Sequence, residues 1–372
     1  MKFVDEFRDT EKARTLQSAI HRLAQQIEPR LQRPLQIMEF CGGHTHTIFR
    51  YGIEQMLPDC IEMVHGPGCP VCVLPMGRVD DCVALAERPE VIFTTCGDAM
   101  RVPGSKKSLL QAKAEGADVR MVYSPLDALN IARRNPQREV IFFGLGFETT
   151  MPSTALTVLQ AEREGISNFS LFCNHLVTPP TIKAVLDDPD MKLDGFLAPG
   201  HVAMVIGERA FDFIAQDYGK ALVITGFEPL DILNALWMLL QQLAEGRHQV
   251  ENQYTRVVNA DGNQQALAAI HRVFAVRPLF ELRGLGTIDE IGVCMTDDYA
   301  AFDAERKFGV PNVTTVDPEA CQCGQVVKGL IKPWDCGIFG TQCNPENPMG
   351  ALMVSSEGAC AAYFNHGYGG RP

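Results

Sequence analysis

The sequence predicts an α/β fold built on mostly parallel sheet, followed by a cysteine-rich C-terminal region of different character. Three observations support this prediction. Short apolar runs alternate with helical patterns from about residue 35 to residue 250, as in parallel sheets that carry helices on both faces. This alternation fades after about residue 250. From Cys321 onward the chain is rich in Cys, Gly and Pro and shows little periodicity.

The individual elements follow from hydrophobic spacing. Residues 10–27 predict a helix because Leu16, Ile20, Leu23 and Ile27 recur three or four positions apart. The most apolar long stretch, Leu230 to Leu243, is interrupted at helical spacing by Asp231, Asn234, Gln241 and Gln242 and predicts an amphipathic helix. The candidate strands are Leu35–Phe40, Ile61–Val64, Val91–Thr95, Val119–Tyr123, Val140–Phe143, Phe169–Cys173, Gly195–Ala198 and Ala221–Thr225. The helical patterns between them are Ser108–Glu115, Pro125–Arg134, Pro152–Glu164, Thr181–Leu186 and Glu208–Gln216.

Composition limits the functional classes. The chain has 372 residues, of which 46% are hydrophobic and 21% charged, which is typical of globular proteins of two or three domains. Its net charge of −12 argues against a general nucleic-acid binder, since such proteins need a basic face. The first residues, MKFVDEFRDT, contain no apolar segment, and no run of about 18 apolar residues occurs. We therefore expect a cytoplasmic protein with no membrane partner.

Several predicted strands end in polar, glycine-rich loops. Ligands of open α/β sheets bind beyond the carboxyl ends of the strands, so Asp98, Glu148, His201 and Glu228 are candidates to face one cleft. The alternative is that these carboxylates cap helices. The loop GLGFET lacks the third glycine of a dinucleotide fingerprint, and no phosphate-binding Lys-Ser/Thr loop is present. Nucleotide binding is therefore disfavoured.

Thirteen cysteines are many for a chain of this kind, and in a reducing compartment they indicate metal ligands or redox thiols. Five lie in the C-terminal region, at Cys321, Cys323, Cys336, Cys343 and Cys360. Zinc sites usually present two close pairs, whereas only the first pair is close here. Irregular spacing on loops favours an iron–sulfur cluster, with zinc and unligated thiols as the alternatives.

Two further motifs carry thiols. In CGGHTH, Cys41 follows a predicted strand and lies three residues before His44, a spacing that suits either a metal or a thiolate paired with a base. In HGPGCPVCVLP, Cys69 and Cys72 form a C-x-x-C that fits a redox dithiol or half of a metal site. The prolines stiffen this loop, which suits a dithiol held ready for exchange. Inert buried thiols are the alternative for both motifs.

Six motifs together resemble one known family. The motifs are CGGHTH, HGPGCPVCVLPMGR, CGDAMRVPG, GFETT, APGHV and MVSSEGACAAYF. In this order they resemble the HypD family of [NiFe]-hydrogenase maturation proteins, from about Phe3 to Phe364. The resemblance implies a scaffold on which the Fe(CN)2CO unit is assembled, together with a HypC-like chaperone and a HypE-like cyanide donor.

The resemblance also implies a fold and site residues. Two α/β domains would flank a cleft, and a third, small domain would carry a [4Fe-4S] cluster. The corresponding ranges are 35–135, 136–250 and 251–372, preceded by a helical segment over 1–34 that packs with the C-terminal domain. Transient Fe(II) carrying CN and CO would be bound by Cys41 and His44. The redox dithiol would be Cys69 and Cys72, and the cluster ligands would be Cys323, Cys336, Cys343 and Cys360.

Some roles stay open at this level. Cys321 lies outside the implied ligand set, and Glu357 could position a partner or accept protons. We expect the Cys69/Cys72 loop to lie between the cluster domain and the Cys41 cleft. The competing hypotheses are an iron–sulfur-dependent thiol–disulfide reductase and a zinc-stabilised interaction protein.

Overall fold

Two parallel β-sheets form the frame of the protein. The computed structural model describes residues 5–310, 315 and 318–366. The first sheet has the strand order β2-β1-β7-β8-β9 and the second has the order β4-β3-β5-β6, with every neighbouring pair parallel. Their strands are β1 (Leu35–Glu39), β2 (Ile61–His65), β3 (Val91–Thr95), β4 (Val119–Met121), β5 (Glu139–Gly146), β6 (Phe169–His175), β7 (Gly195–Pro199), β8 (Ala221–Thr225) and β9 (Val250–Asn252).

Helices cover both faces of each sheet, which explains why the strands read as continuous apolar runs. One face of the first sheet packs Ile37 and Val223 against helices, and the other packs Met38 and Ile224. The helices are α1 (Thr10–Ile27), α2 (Gly42–Arg50), α3 (Met76–Ala86), α4 (Leu109–Ala114), α5 (Pro125–Arg134), α6 (Met151–Glu164), α7 (Thr178–Leu186), α8 (Gly200–Ile206), α9 (Asp212–Gln216), α10 (Pro229–Glu245), α11 (Gln264–Val273), α12 (Ala304–Phe308), α13 (Cys323–Val327) and α14 (Ala359–Asn365). The predicted α/β class is therefore confirmed.

The N-terminal helix occupies the predicted residues but packs elsewhere than expected. Asp9 caps α1 by accepting hydrogen bonds from the backbone N–H groups of Glu11 and Lys12, at 2.9 and 3.1 Å. Its buried side chains, Ile20 and Ala24 among them, join the core formed by α10 and the first sheet. The expected packing against the C-terminal region is thus replaced by packing against α10, because the apolar face of α10 lies beside it.

The chain crosses between the sheets twice, so the sheets do not follow the predicted ranges. Residues 35–135 contribute β1 and β2 to the first sheet and β3 and β4 to the second. Residues 136–250 contribute β5 and β6 to the second sheet and β7 and β8 to the first. Each predicted range is therefore divided between the sheets. Hydrophobic periodicity identifies a strand but does not say which sheet it joins.

The part of the chain after residue 252 begins with elements that periodicity did not predict. An antiparallel hairpin pairs β10 (Phe274–Leu282) with β11 (Gly286–Met295) and shifts register between Arg277 and Leu279. Beyond it, short helices and loops gather the C-terminal cysteines with Val326, Val327 and Leu352 in a small apolar cluster. Within the described ranges, none of the helices combines the length and apolar character needed to cross a bilayer.

Candidate functional site

A cavity of about 430 Å³ lies where the carboxyl ends of strands from both sheets meet. Loops that follow β1, β7 and β8 of the first sheet reach it, as do loops that follow β5 and β6 of the second. This is the position at which parallel sheets bind ligands. Its lining includes Cys41, Pro70, Phe147, Thr178, His201 and Glu357.

Cys41 leaves β1 in an extended conformation and occupies the N-cap position of α2. Its carbonyl accepts hydrogen bonds from the N–H groups of His44 and Thr45, at 2.9 and 3.1 Å, and these bonds fix the turn through the two glycines. Its sulfur lines the cavity. Burial, and then the charge of Glu39, raise the pKa of this thiol. The thiol therefore stays protonated at neutral pH unless a cation stabilises the thiolate.

A fully buried glutamate lies directly behind Cys41. Glu39 accepts hydrogen bonds from the Cys41 N–H group at 2.8 Å and from the Thr45 hydroxyl, and its other contact is His65 Nδ1 at 2.6 Å. The contact between the Glu39 carboxylate and His65 thus connects the end of β1 to the end of β2. Sequence reasoning missed Glu39, although an acidic residue inside an otherwise apolar strand was an available signal.

Two histidines flank one aromatic ring near Cys41. His44 is fully buried and stacks on Phe227 at 4.8 Å. His201 meets the same ring edge-on at 4.8 Å and lines the cavity. Both ring nitrogens of His201 lie 3.9 Å from Cys41 Sγ. Burial, and then His44, lower the pKa of His201 to about 4, so its imidazole is neutral.

Glu357 reaches the same cavity from the C-terminal segment. A Cβ atom on Gly42 would lie 2.5 Å from the Glu357 Cβ and 2.6 Å from its Oε2, so only glycine fits beneath this side chain. Burial raises the pKa of Glu357, and the charges of Asp98 and Glu39 act in the same direction. A carboxyl group with a raised pKa is suited to proton exchange.

The remaining acidic candidates have structural partners. Glu148 accepts hydrogen bonds from both the N–H and the hydroxyl of Thr178, at 2.7 and 2.6 Å, and so caps α7. Glu228 caps α10 and pairs with Arg8 at 2.6 Å. Asp98 accepts a hydrogen bond from the Ser355 hydroxyl at 2.9 Å. Of the four residues predicted to share a cleft, the structure places His201 on its wall.

The loop that carries Cys69 and Cys72 lies between this cavity and the C-terminal cysteines. The two cysteines form a disulfide. On one side, a Cβ atom on Gly68 would overlap the Phe40 carbonyl and the Cys41 nitrogen, so the loop backbone presses directly on the Cys41 segment. On the other side, the two sulfurs pack in one buried cluster with Cys323, Cys343 and Cys360.

The five C-terminal cysteines line a second, much smaller cavity of about 10 Å³. The sulfurs of Cys321 and Cys323 lie 3.1 Å apart, and a Cβ atom on Gly350 would come within 2.5 Å of both. The Cys323 sulfur, followed by burial, raises the pKa of the Cys321 thiol. Cys321, which stood outside the implied ligand set, therefore shares the cavity with the other four.

Comparison with known proteins gives one family. The HypD model, described as the hydrogenase formation hypA family, matches residues 11–367. The chain belongs to the HypD family. It is 60% identical over 371 residues to the hydrogenase maturation factor HypD of Rhodobacter capsulatus, covering 99% of this chain and 98% of that protein. It is 55% identical over 367 residues to the hydrogenase maturation factor HypD of Escherichia coli (strain K12), covering 98% of each.

The resemblance to the HypD family implies an iron–sulfur cluster bound by C-terminal cysteines, and these cysteines line the second cavity. Within residues 5–310, 315 and 318–366, no group of three or more Cys, His, Asp or Glu side chains stands in an arrangement ready to bind a metal ion. The donor chemistry nevertheless suits a cluster, since five soft sulfurs surround one cavity. The Met349 N–H also donates a hydrogen bond to Cys343 Sγ at 3.4 Å, and hydrogen bonds of this kind help to set the reduction potential of iron–sulfur clusters.

Proposed function

We propose that this chain is a scaffold for assembly of the Fe(CN)2CO unit of [NiFe]-hydrogenase. In this proposal it works with a HypC-like chaperone and a HypE-like cyanide donor, and it uses a [4Fe-4S] cluster and the Cys69/Cys72 dithiol for electron supply. One observation carries the proposal: the disulfide loop touches the Cys41 segment on one side and the C-terminal cysteines on the other.

Cys41 is the residue proposed to bind the iron cargo. Fe(II) bearing CN and CO is a soft centre that suits thiolate sulfur. Binding would replace the thiol proton by the metal ion, and the positive charge would offset the burial and the Glu39 charge that disfavour the thiolate. The cavity of about 430 Å³ leaves room for diatomic ligands and for a partner's donor group.

Cys69 and Cys72 are proposed to hold electrons for this assembly. Reduction of their disulfide takes up two electrons and two protons and yields two thiols, and reoxidation returns both. A bound cluster would supply electrons one at a time. Of the five cysteines that line the second cavity, Cys323, Cys336, Cys343 and Cys360 would bind it, and Cys321 is available beside them. Glu357, which lines the first cavity, would exchange protons there.

Infrared and Mössbauer spectroscopy of the anaerobically purified complex with a HypC-like partner tests this proposal. We expect infrared bands of iron-bound CO and CN in the wild-type complex. The Cys41→Ala variant should lose those bands and the ability to mature hydrogenase, and its broad visible cluster absorption should remain. Full maturation by Cys41→Ala would refute the scaffold role. Colourless protein with stoichiometric zinc would refute the electron-supply role.

A further inference from the structure

The imidazole that neighbours the Cys41 sulfur belongs to His201. The resemblance assigned a histidine role in iron binding to His44, three residues after Cys41. In the structure both nitrogens of His201 lie 3.9 Å from Cys41 Sγ, and the side chain of His201 lines the cavity. His44 is fully buried beneath Phe227 and does not belong to the cavity lining.

The distance between these two donors suits a shared metal ion. A metal bound to thiolate sulfur at about 2.3 Å and to imidazole nitrogen at about 2.0–2.1 Å holds the two donor atoms roughly 3.0–3.6 Å apart. The observed 3.9 Å exceeds this range by a few tenths of an ångström. The two nitrogens are equally far from the sulfur, so the imidazole must rotate to bring one of them to the metal.

The surrounding contacts hold His201 in this position. It is the second residue of α8, and a Cβ atom on the preceding Gly200 would come within 2.6 Å of the Thr225 carbonyl oxygen, so the turn after β7 is tightly packed. The ring of Phe227 meets His201 edge-on and stacks on His44. The Thr47 hydroxyl donates a hydrogen bond to the Phe227 carbonyl at 2.8 Å, which anchors the Phe227 loop to α2.

We propose that His201 is the imidazole ligand of the metal bound by Cys41, and that His44 acts only through Phe227 as a positioning residue. This inference rests on the proposed function of Cys41 as the cargo-binding thiolate. Metal binding would release the Cys41 thiol proton to solvent through the open cavity. With one sulfur and one nitrogen from this chain, the remaining coordination positions stay open for diatomic ligands and for a partner's thiolate.

Cobalt(II) titration of the full-length, anaerobically purified chain tests the assignment. High-spin Co(II) gives a sulfur-to-metal charge-transfer band, and pulsed EPR detects coupling to imidazole nitrogen. Subtracting the spectrum of Cys41→Ser isolates the signals that depend on Cys41. We expect His201→Gln to lose the nitrogen coupling, to keep the charge-transfer band and to weaken Co(II) binding about 10- to 100-fold.

Three further variants separate a ligand from a structural residue. His44→Gln should retain the nitrogen coupling, as should His248→Gln, which alters an exposed histidine after α10. His201→Cys exchanges nitrogen for sulfur and should increase the charge-transfer intensity, so the assignment can be tested even if the glutamine variant does not fold.

The possible failures are distinguishable. If nitrogen coupling persists in His201→Gln, the His201 assignment is wrong while the cargo site stands. If the wild-type chain shows no signal that depends on Cys41, both the assignment and the cargo site of the proposed function are wrong.

Discussion

The Cys41 cleft and the C-terminal cysteine cavity both present sulfur atoms, but they differ in the number of thiols and in the free volume around them. The cleft offers one thiol, in a cavity of about 430 Å³ that also holds an imidazole and a carboxyl group. The C-terminal cavity gathers five thiols around a much smaller space of about 10 Å³, with Val326, Ile338 and Phe339 in its lining. A single thiol with spare volume suits a metal unit that must be built and released. Five crowded thiols suit a metal centre that stays.

The Cys69–Cys72 loop is the shared boundary of the two regions, and glycines allow it to fit on both sides. Gly68 lets the loop backbone lie against Phe40 and Cys41, and Gly358 lets Cys72 approach the start of α14, where a Cβ atom would lie 3.1 Å from its sulfur. Because α14 carries Cys360, the disulfide is close to both regions. The contrast between the regions can therefore be tested by altering each one separately.

The largest expected effect concerns the C-terminal cavity. Cys343→Ser replaces a buried sulfur that receives the Met349 N–H, and we expect most of the bound iron and the visible absorption of anaerobic protein to be lost. Cys41-dependent metal binding should remain. Iron analysis and absorption spectra measure the change, with Cys60→Ser, outside both cavities, as the control. Unaltered absorption of Cys343→Ser would contradict a resident cluster at these cysteines.

The next effect concerns the boundary itself. Gly68→Ala would drive a methyl group into the backbone of Phe40 and Cys41, and we expect it to reduce the free energy of unfolding by about 2–4 kcal/mol. Gly337→Ala is the matched control, because a Cβ atom there meets no atom within 4 Å and the change should stay within about 0.5 kcal/mol. Urea denaturation followed by circular dichroism measures both. Equal midpoints for the two variants would mean that the loop does not press on Cys41.

These regions also show what the sequence could and could not predict. Strand and helix positions were close to those observed, since hydrophobic spacing reports burial locally: the helix at Thr10–Ile27 and the strand at Ala221–Thr225 match their predictions. The sheet that each strand joins was not predictable. The first sheet combines β1 and β2 with β7, β8 and β9, which lie far away in the sequence. The hairpin of β10 and β11 was missed because its exposed and buried residues follow no regular alternation.

The site residues likewise differ in how far the sequence could predict them. The cysteine motifs identified both thiol regions because each motif is local in sequence, whereas the expected position of the disulfide loop came from the family resemblance. The neighbours of Cys41 were less accessible. His201 is 160 residues away in the chain and reaches Cys41 through the pairing of β1 with β7. Glu39 lies in β1, and the sequence indicated only that it belongs to a strand. Proximity in sequence therefore favoured His44 over His201.

The smallest expected effect tests the electrostatics of the cleft. Burial, Glu39 and, more weakly, Glu357 raise the pKa of the Cys41 thiol, so the metal-free chain should alkylate slowly at Cys41 near neutral pH and faster as the pH rises. Glu357→Gln removes a negative charge that disfavours the thiolate. The pKa of Cys41 should fall, and its alkylation by iodoacetamide at a fixed alkaline pH should become about two- to threefold faster.

Mass spectrometry of the Cys41 peptide measures this rate within one sample. Cys60 is the internal reference, since it precedes β2 at the opposite end of the strands from the cavity and should label at the same rate in both proteins. A slower or unchanged rate at Cys41 would show that Glu357 does not act on the thiol through its charge. A faster rate would establish that Glu357, on the C-terminal segment, disfavours the Cys41 thiolate through its charge.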